Sequence, residues 1–111
     1  MIIENGNIFS LEEYRLNRNL EYFQTLFQNE NIKIERIISE GQSSPEEFWY
    51  DQENYEWVIL LEGKAKIKFQ EPKRIIDLSP GDFVLIKPHE KHRVEWTDPN
   101  KKNIWLAIFF K

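Results

Sequence analysis

The chain has 111 residues, of which 41% are hydrophobic and 14% aromatic, and its formal net charge is −4. That length suits one compact domain, and the core-forming content excludes a disordered chain. There is no dense run of Lys or Arg, which disfavours a nucleic-acid-binding surface, and the lack of cysteine excludes disulfides, thiol nucleophiles and zinc–thiolate sites.

The opening MIIENGNIFSLEEY lacks the basic start and continuous apolar core of a signal peptide. No apolar run approaches the roughly 20 residues of a membrane span. A soluble cytoplasmic protein with no membrane partner is the expectation. Leu16, Leu20, Phe23 and Phe27, with Leu26 beside them, fall at helical spacing after a capping box of Ser10 and Glu13. The spacing predicts a short helix within residues 1–31 that packs on the outside of the domain.

From residue 32 the pattern is that of strands. IKIERIIS (32–39) ends near Gly41, SSPEE makes a loop, and FWY (48–50) starts an extended piece. YEWVILLEG (55–63) and KAKIKF (64–69) follow, the second alternating Lys with apolar residues as a half-buried strand does. RIIDL (74–78), the turn SPGD, FVLI (83–86), HRVEW (92–96), the polar loop TDPNKKN and IWLAIFF (104–110) complete the chain. About seven strands at regular intervals predict an all-β sandwich or small barrel over 32–111, in a single domain spanning 1–111. Strands 55–62 and 104–110 are apolar on both faces, so one face lines the barrel and the other needs a cover. The cover is either the N-terminal helix or a second copy of the chain, so a homodimer is expected.

Parity assigns directions. Val94 and Trp96 define the core face of HRVEW, which sends His92 inward and Arg93 and Glu95 to solvent. Glu56 shares parity with Val58 and Leu60, but both faces of its strand are apolar, and its direction stays open. An inward imidazole beside an inward carboxylate is either a hydrogen-bonded pair or part of a binding site at the barrel mouth.

At this point the residues resemble the cupin superfamily. Glu56 and Gly63 stand as the end of that superfamily's first motif requires, and Pro80-Gly81-Asp82 with His92, eleven residues after Gly81, fits the second. The resemblance covers residues 32–110 and is closest to small single-domain bacterial cupins with a short N-terminal helix and no assigned reaction. It implies a double-stranded β-helix, or jelly-roll barrel, with a ligand site inside. It also implies a metal site of three His and one Glu, of which this chain keeps Glu56 and His92. With a four-residue gap before Glu56, Asp51 stands in place of the second His and Trp49 in place of the first. Lys87 and His89 also depart from the second motif, standing where Pro and Gly are usual.

Two site readings follow. In one, Asp51, Glu56 and His92 hold Mn, Fe, Zn or Ni, with Gln52 or His89 as a further contact, and Glu56 or His92 serves as acid/base. In the other the cluster is metal-free. His89 is either a loop residue bonded to the backbone or a gate at the pocket mouth, and Trp49, Tyr50 and Trp96 are candidates for an apolar pocket floor. The functional expectation is a cupin that binds a small acidic or cyclic molecule in its barrel. The alternatives are a non-catalytic sensory module without metal and a purely structural dimer.

Overall fold

A computed structural model describes residues 4–11 and 21–111, and its regular structure there is entirely strand. In chain order these are β1 (Tyr22–Gln28), β2 (Ile32–Ser39), β3 (Tyr55–Glu62), β4 (Ala65–Phe69), β5 (Arg74–Leu78), β6 (Phe83–Ile86), β7 (His92–Thr97) and β8 (Asn103–Phe110). They form a five-stranded sheet in the order β1-β2-β8-β3-β6 and a three-stranded sheet in the order β5-β4-β7. Neighbours run antiparallel throughout.

The alternation read from the sequence becomes the two faces of these sheets. In β4, Ala65, Ile67 and Phe69 are buried while Lys66 is exposed. In β3, Glu56, Val58 and Leu60 are buried and point between the sheets, with Trp57, Ile59 and Leu61 on the outer face. Val58, Leu60, Ile67, Phe69, Ile86 and Trp105 are central to the core that joins the two sheets.

Three local expectations are corrected. The proposed helix lies partly on residues 12–20, outside the described residues, but its second half is strand: Phe23, Leu26 and Phe27 belong to β1. The spacing from Phe23 to Phe27 suits a helical turn, but in β1 Phe23 lies opposite Ile37 and Phe27 opposite Ile34, so the two take opposite parity against β2. Pairing with the edge of β2 then decides the outcome, with a register shift between Thr25 and Phe27. FWY is not a strand. Only Tyr50 pairs, through an isolated antiparallel bridge to His92.

The third correction concerns Trp96, which is exposed rather than in the pocket. Lys66 pairs with Trp96 but Ile67 pairs with Val94, so Glu95 is an extra residue that opposes nothing on β4. This bulge reverses the parity beyond it. His92 and Val94 keep the inward direction, Trp96 turns out, and Thr97 turns in, buried to 1% exposure.

Two turns hold the sheets in place. SPGD bends as read, with Gly81 at φ 95° and the Ser79 N–H donating to Asp82 Oδ2 at 2.8 Å. Between β3 and β4, Gly63 has φ 93°, and a Cβ placed there would stand 2.0 Å from Asn103 Oδ1. That oxygen accepts the Lys64 N–H at 2.9 Å. The Asn103 amide nitrogen lies 3.1 Å from the Ser39 carbonyl and 2.9 Å from that of Asp98, donating to both.

On the outer face of the larger sheet, Trp57 lies opposite Leu85 and Ile59 opposite Phe83, while Leu106 and Ile108 continue the surface on β8. Phe83 is 61% exposed and Leu85 45%. Residues 4–11 touch the β2 side of this face, where Arg36 Nη1 donates to the carbonyls of Ile8 and Ser10.

Candidate functional site

Inside the barrel lies a cavity of about 170 Å³. Strand alternation supplies its walls: Ile37 from β2, Val58 from β3, Ile67 from β4, Ile86 from β6, Val94 from β7, and Trp105 and Phe109 from β8. The polar groups that reach it are Glu21, Glu35, Tyr50, Gln52, Glu56 and His92.

The direction of Glu56, open in the sequence, is inward, and His92 faces it. His92 Nε2 stands 3.6 Å from Glu56 Oε1, with both residues buried. His92 Nδ1 lies 3.0 Å from the Glu90 carbonyl oxygen. A carbonyl only accepts, so Nδ1 carries a proton, and in the neutral ring Nε2 presents its lone pair toward Glu56 and the cavity. Gln52 Nε2 donates to the same Glu56 oxygen at 3.0 Å. The Tyr50 ring stacks on His92 with centroids 5.4 Å apart, and the two backbones exchange hydrogen bonds of 2.7 and 3.2 Å. This arrangement can hold a ligand by hydrogen bonds and can pass a proton between imidazole and carboxylate.

The other sequence candidates lie elsewhere. Asp51 Oδ1 pairs with His89 Nδ1 at 2.7 Å, on the exposed rim. His89 sits at φ 61° in the turn, where its N–H donates to the Gln52 carbonyl at 2.7 Å. Trp49 lines an outer groove with Lys68, Arg93 and Glu95. Asp51, Glu56 and His92 are therefore not brought together. Counting back from the inward Glu56, the inward positions are Gln52 and Tyr50, so the gap is three residues and each substitute for a histidine moves by one.

This set does not fit a divalent metal. A phenol and an amide are weak ligands beside the imidazole and carboxylate, and the Glu56 oxygen nearest His92 already accepts from Gln52. Among the described residues no group of three or more His, Asp or Glu side chains is placed to hold an ion.

Glu21, Glu35, Trp105 and Phe109 were not singled out from sequence. Glu35 shares its strand face with Lys33 and Ser39 as well as Ile37, so alternation does not mark it as inward, and Glu21 falls in the segment read as helix. Burial, and then the charge of Glu35, raises the Glu21 carboxyl from 4.5 to about 7. Burial, followed by the charges of Glu21, Glu56 and Glu35, raises the Tyr50 phenol above its ordinary value. The cavity is thus acidic on one side. Lys33 Nζ meets Glu35 Oε2 at 3.2 Å from a partly exposed position.

Comparison with known proteins agrees with the fold. The sequence profile of the family described as "Cupin domain" matches residues 35–109. A provisionally named mannose-6-phosphate isomerase from Ralstonia eutropha JMP134 is 38% identical, with a TM-score of 0.90, covering 98% of this chain and 99% of that one. A cupin superfamily protein from Desulfitobacterium hafniense DCB-2 is 21% identical, with a TM-score of 0.71 and coverages of 86% and 82%. HppE, solved with cobalt(II) and Tris buffer, is 14% identical, with a TM-score of 0.68 and coverages of 81% and 53%. No curated protein matches. No helix among the described residues is long and apolar enough to cross a membrane.

Proposed function

The chain belongs to the cupin family, and we propose that it binds a small molecule in its barrel by direct hydrogen bonds rather than through a metal. The observation that carries this reading is the convergence of Gln52, Glu56 and His92 on a cavity whose remaining walls are apolar. A sugar phosphate, the substrate class in the name of the Ralstonia protein, is a poor match. Three glutamates line the cavity, and no Lys or Arg does so among the described residues.

The test is a thermal-shift series in EDTA with benzylamine, benzyl alcohol and benzoate. At least one of the three is expected to raise the melting temperature, and Val94→Phe, which fills the cavity, is expected to abolish the rise. If none does so, the binding reading fails. The metal-free part fails separately if metal analysis after reconstitution with Mn, Fe, Ni or Zn finds one equivalent that His92→Ala loses.

The partner we propose for the outer face is a second copy of the chain. The outward positions Trp57, Ile59, Phe83, Leu85, Leu106 and Ile108 are all apolar, so two such faces can meet without burying a charge. Light scattering at micromolar concentration is expected to give a dimer, and Phe83→Glu with Leu85→Glu a monomer. A monomeric parent protein sinks the proposal.

A further inference from the structure

We infer that the cavity takes a small organic cation, an amine or quaternary ammonium carried on an apolar body. This rests on the reading of the cavity as a ligand site and names the class of ligand. Glu21, Glu35 and Glu56 all reach the cavity wall, and among the described residues its only cationic candidate is His92. Glu35 is 7% exposed and Glu56 9%, so both carboxylates are withdrawn from water. Burying charge of one sign is costly unless a counter-charge accompanies it. Lys33 supplies one to Glu35 from the rim. Among the described residues, Glu56 receives the neutral Gln52 amide and an imidazole at 3.6 Å. Among the described residues, this wall therefore carries more negative charge than the cations beside it balance, and low-dielectric walls focus that potential onto whatever enters.

The rest of the lining says what kind of cation. The carboxylates are not clustered for coordination, which disfavours a bare metal ion. Tyr50, Trp105 and Phe109 offer ring surfaces instead, and a ring face attracts an ammonium group. The protein's own side chains already show this contact at the rim, where Lys33 Nζ lies 5.9 Å from the Phe109 ring centroid. At about 170 Å³, the cavity has room for a ring or a short branched chain beside the charged group.

Binding is then coupled to protons. The charged and titratable groups around Glu21 are Glu35 and Lys33 on β2, Glu56 on β3, Tyr50 in the loop and His92 on β7. Without a ligand, burial and the Glu35 charge favour a protonated Glu21 up to about pH 7. An arriving cation reverses that preference, and the proton leaves.

Isothermal titration with benzylamine, benzyl alcohol and benzoate tests the inference. Benzylamine is expected to bind at least tenfold tighter than benzyl alcohol, and benzoate not at all. Benzylamine affinity is expected to rise between pH 6 and pH 8, with proton release visible as a dependence on buffer ionisation heat. Glu56→Gln is expected to weaken benzylamine about tenfold more than it weakens benzyl alcohol. If Glu56→Gln does not fold, Glu21→Gln replaces it and should abolish the proton release. Benzyl alcohol or benzoate binding as tightly as benzylamine overturns the cation while the cavity reading stands. Silence from all three probes overturns both.

Discussion

Asn103→Leu is expected to cost on the order of 4 kcal/mol, a large share of the roughly 5–15 kcal/mol that holds a domain together. Asn103 is fully buried, and its amide serves the Lys64 N–H and the carbonyls of Ser39 and Asp98. A leucine fills similar volume but leaves those backbone groups without a partner, each at about 1–3 kcal/mol before water reaches the outermost. The same point is crowded from the other side. Gly63→Ala would set its Cβ 2.7 Å from Asn103 Cγ at a φ of 93°, so it too should destabilise strongly. The two effects are coupled. An Asn103→Ala background removes the Oδ1 and Cγ contacts but keeps the backbone Cα at 2.9 Å and the positive φ, so Gly63→Ala should cost less there than in the parent without becoming neutral. Urea unfolding of the parent, both single variants and the double variant measures this. Additive costs would show that the side-chain contact is not what makes Gly63 necessary.

A second large effect concerns pH. Glu21 titrates near 7 in the folded chain and near 4.5 when freed from its surroundings. A raised carboxyl favours the protonated folded form, so its contribution is complete below about pH 4.5 and is lost as pH rises through about 7. The full shift would correspond to about 3 kcal/mol, and partial exposure of Glu21 reduces this to roughly 1–2 kcal/mol. Glu21→Gln should therefore be more stable than the parent at pH 8, and its urea midpoint should vary less between pH 5 and pH 8. Parallel pH profiles for the two proteins would dissociate Glu21 from the effect.

How legible these features were depends on the local pattern. β2, β5 and β6 stand at the bounds read from sequence, because each is a short β-branched or aromatic run closed by a turn. β1 was hidden, since its register shift between Thr25 and Phe27 breaks a strand's alternation and leaves a spacing that reads as helical. Glu56 could not be aimed while both faces of its strand were apolar; only the register against β8 and β6 decides it. The Glu95 bulge left His92 readable and Trp96 not, because parity survives on one side of an inserted residue and inverts on the other. Residues 49–52 were the hardest. They lie in a loop held by a single bridge, so no alternation carried back from Glu56, and the assumed gap aimed Trp49 and Asp51 inward in place of Tyr50 and Gln52. The fold was thus written in repeated local signals, whereas the site depended on one residue of register.

The bulge and the barrel together sort the chain's four tryptophans by surroundings. Trp96 is exposed, Trp57 rests on the outer sheet face beside Phe83, and Trp49 lies in the outer groove. Trp105 alone forms part of the cavity wall, with its Nε1–H donating to Ser39 Oγ at 3.2 Å. The molecule thus carries its own optical reporter. Entry of a guest into the barrel would alter the surroundings of one indole directly, and self-association through the outer sheet would alter those of another, so the two proposed events would leave separate marks on the emission spectrum.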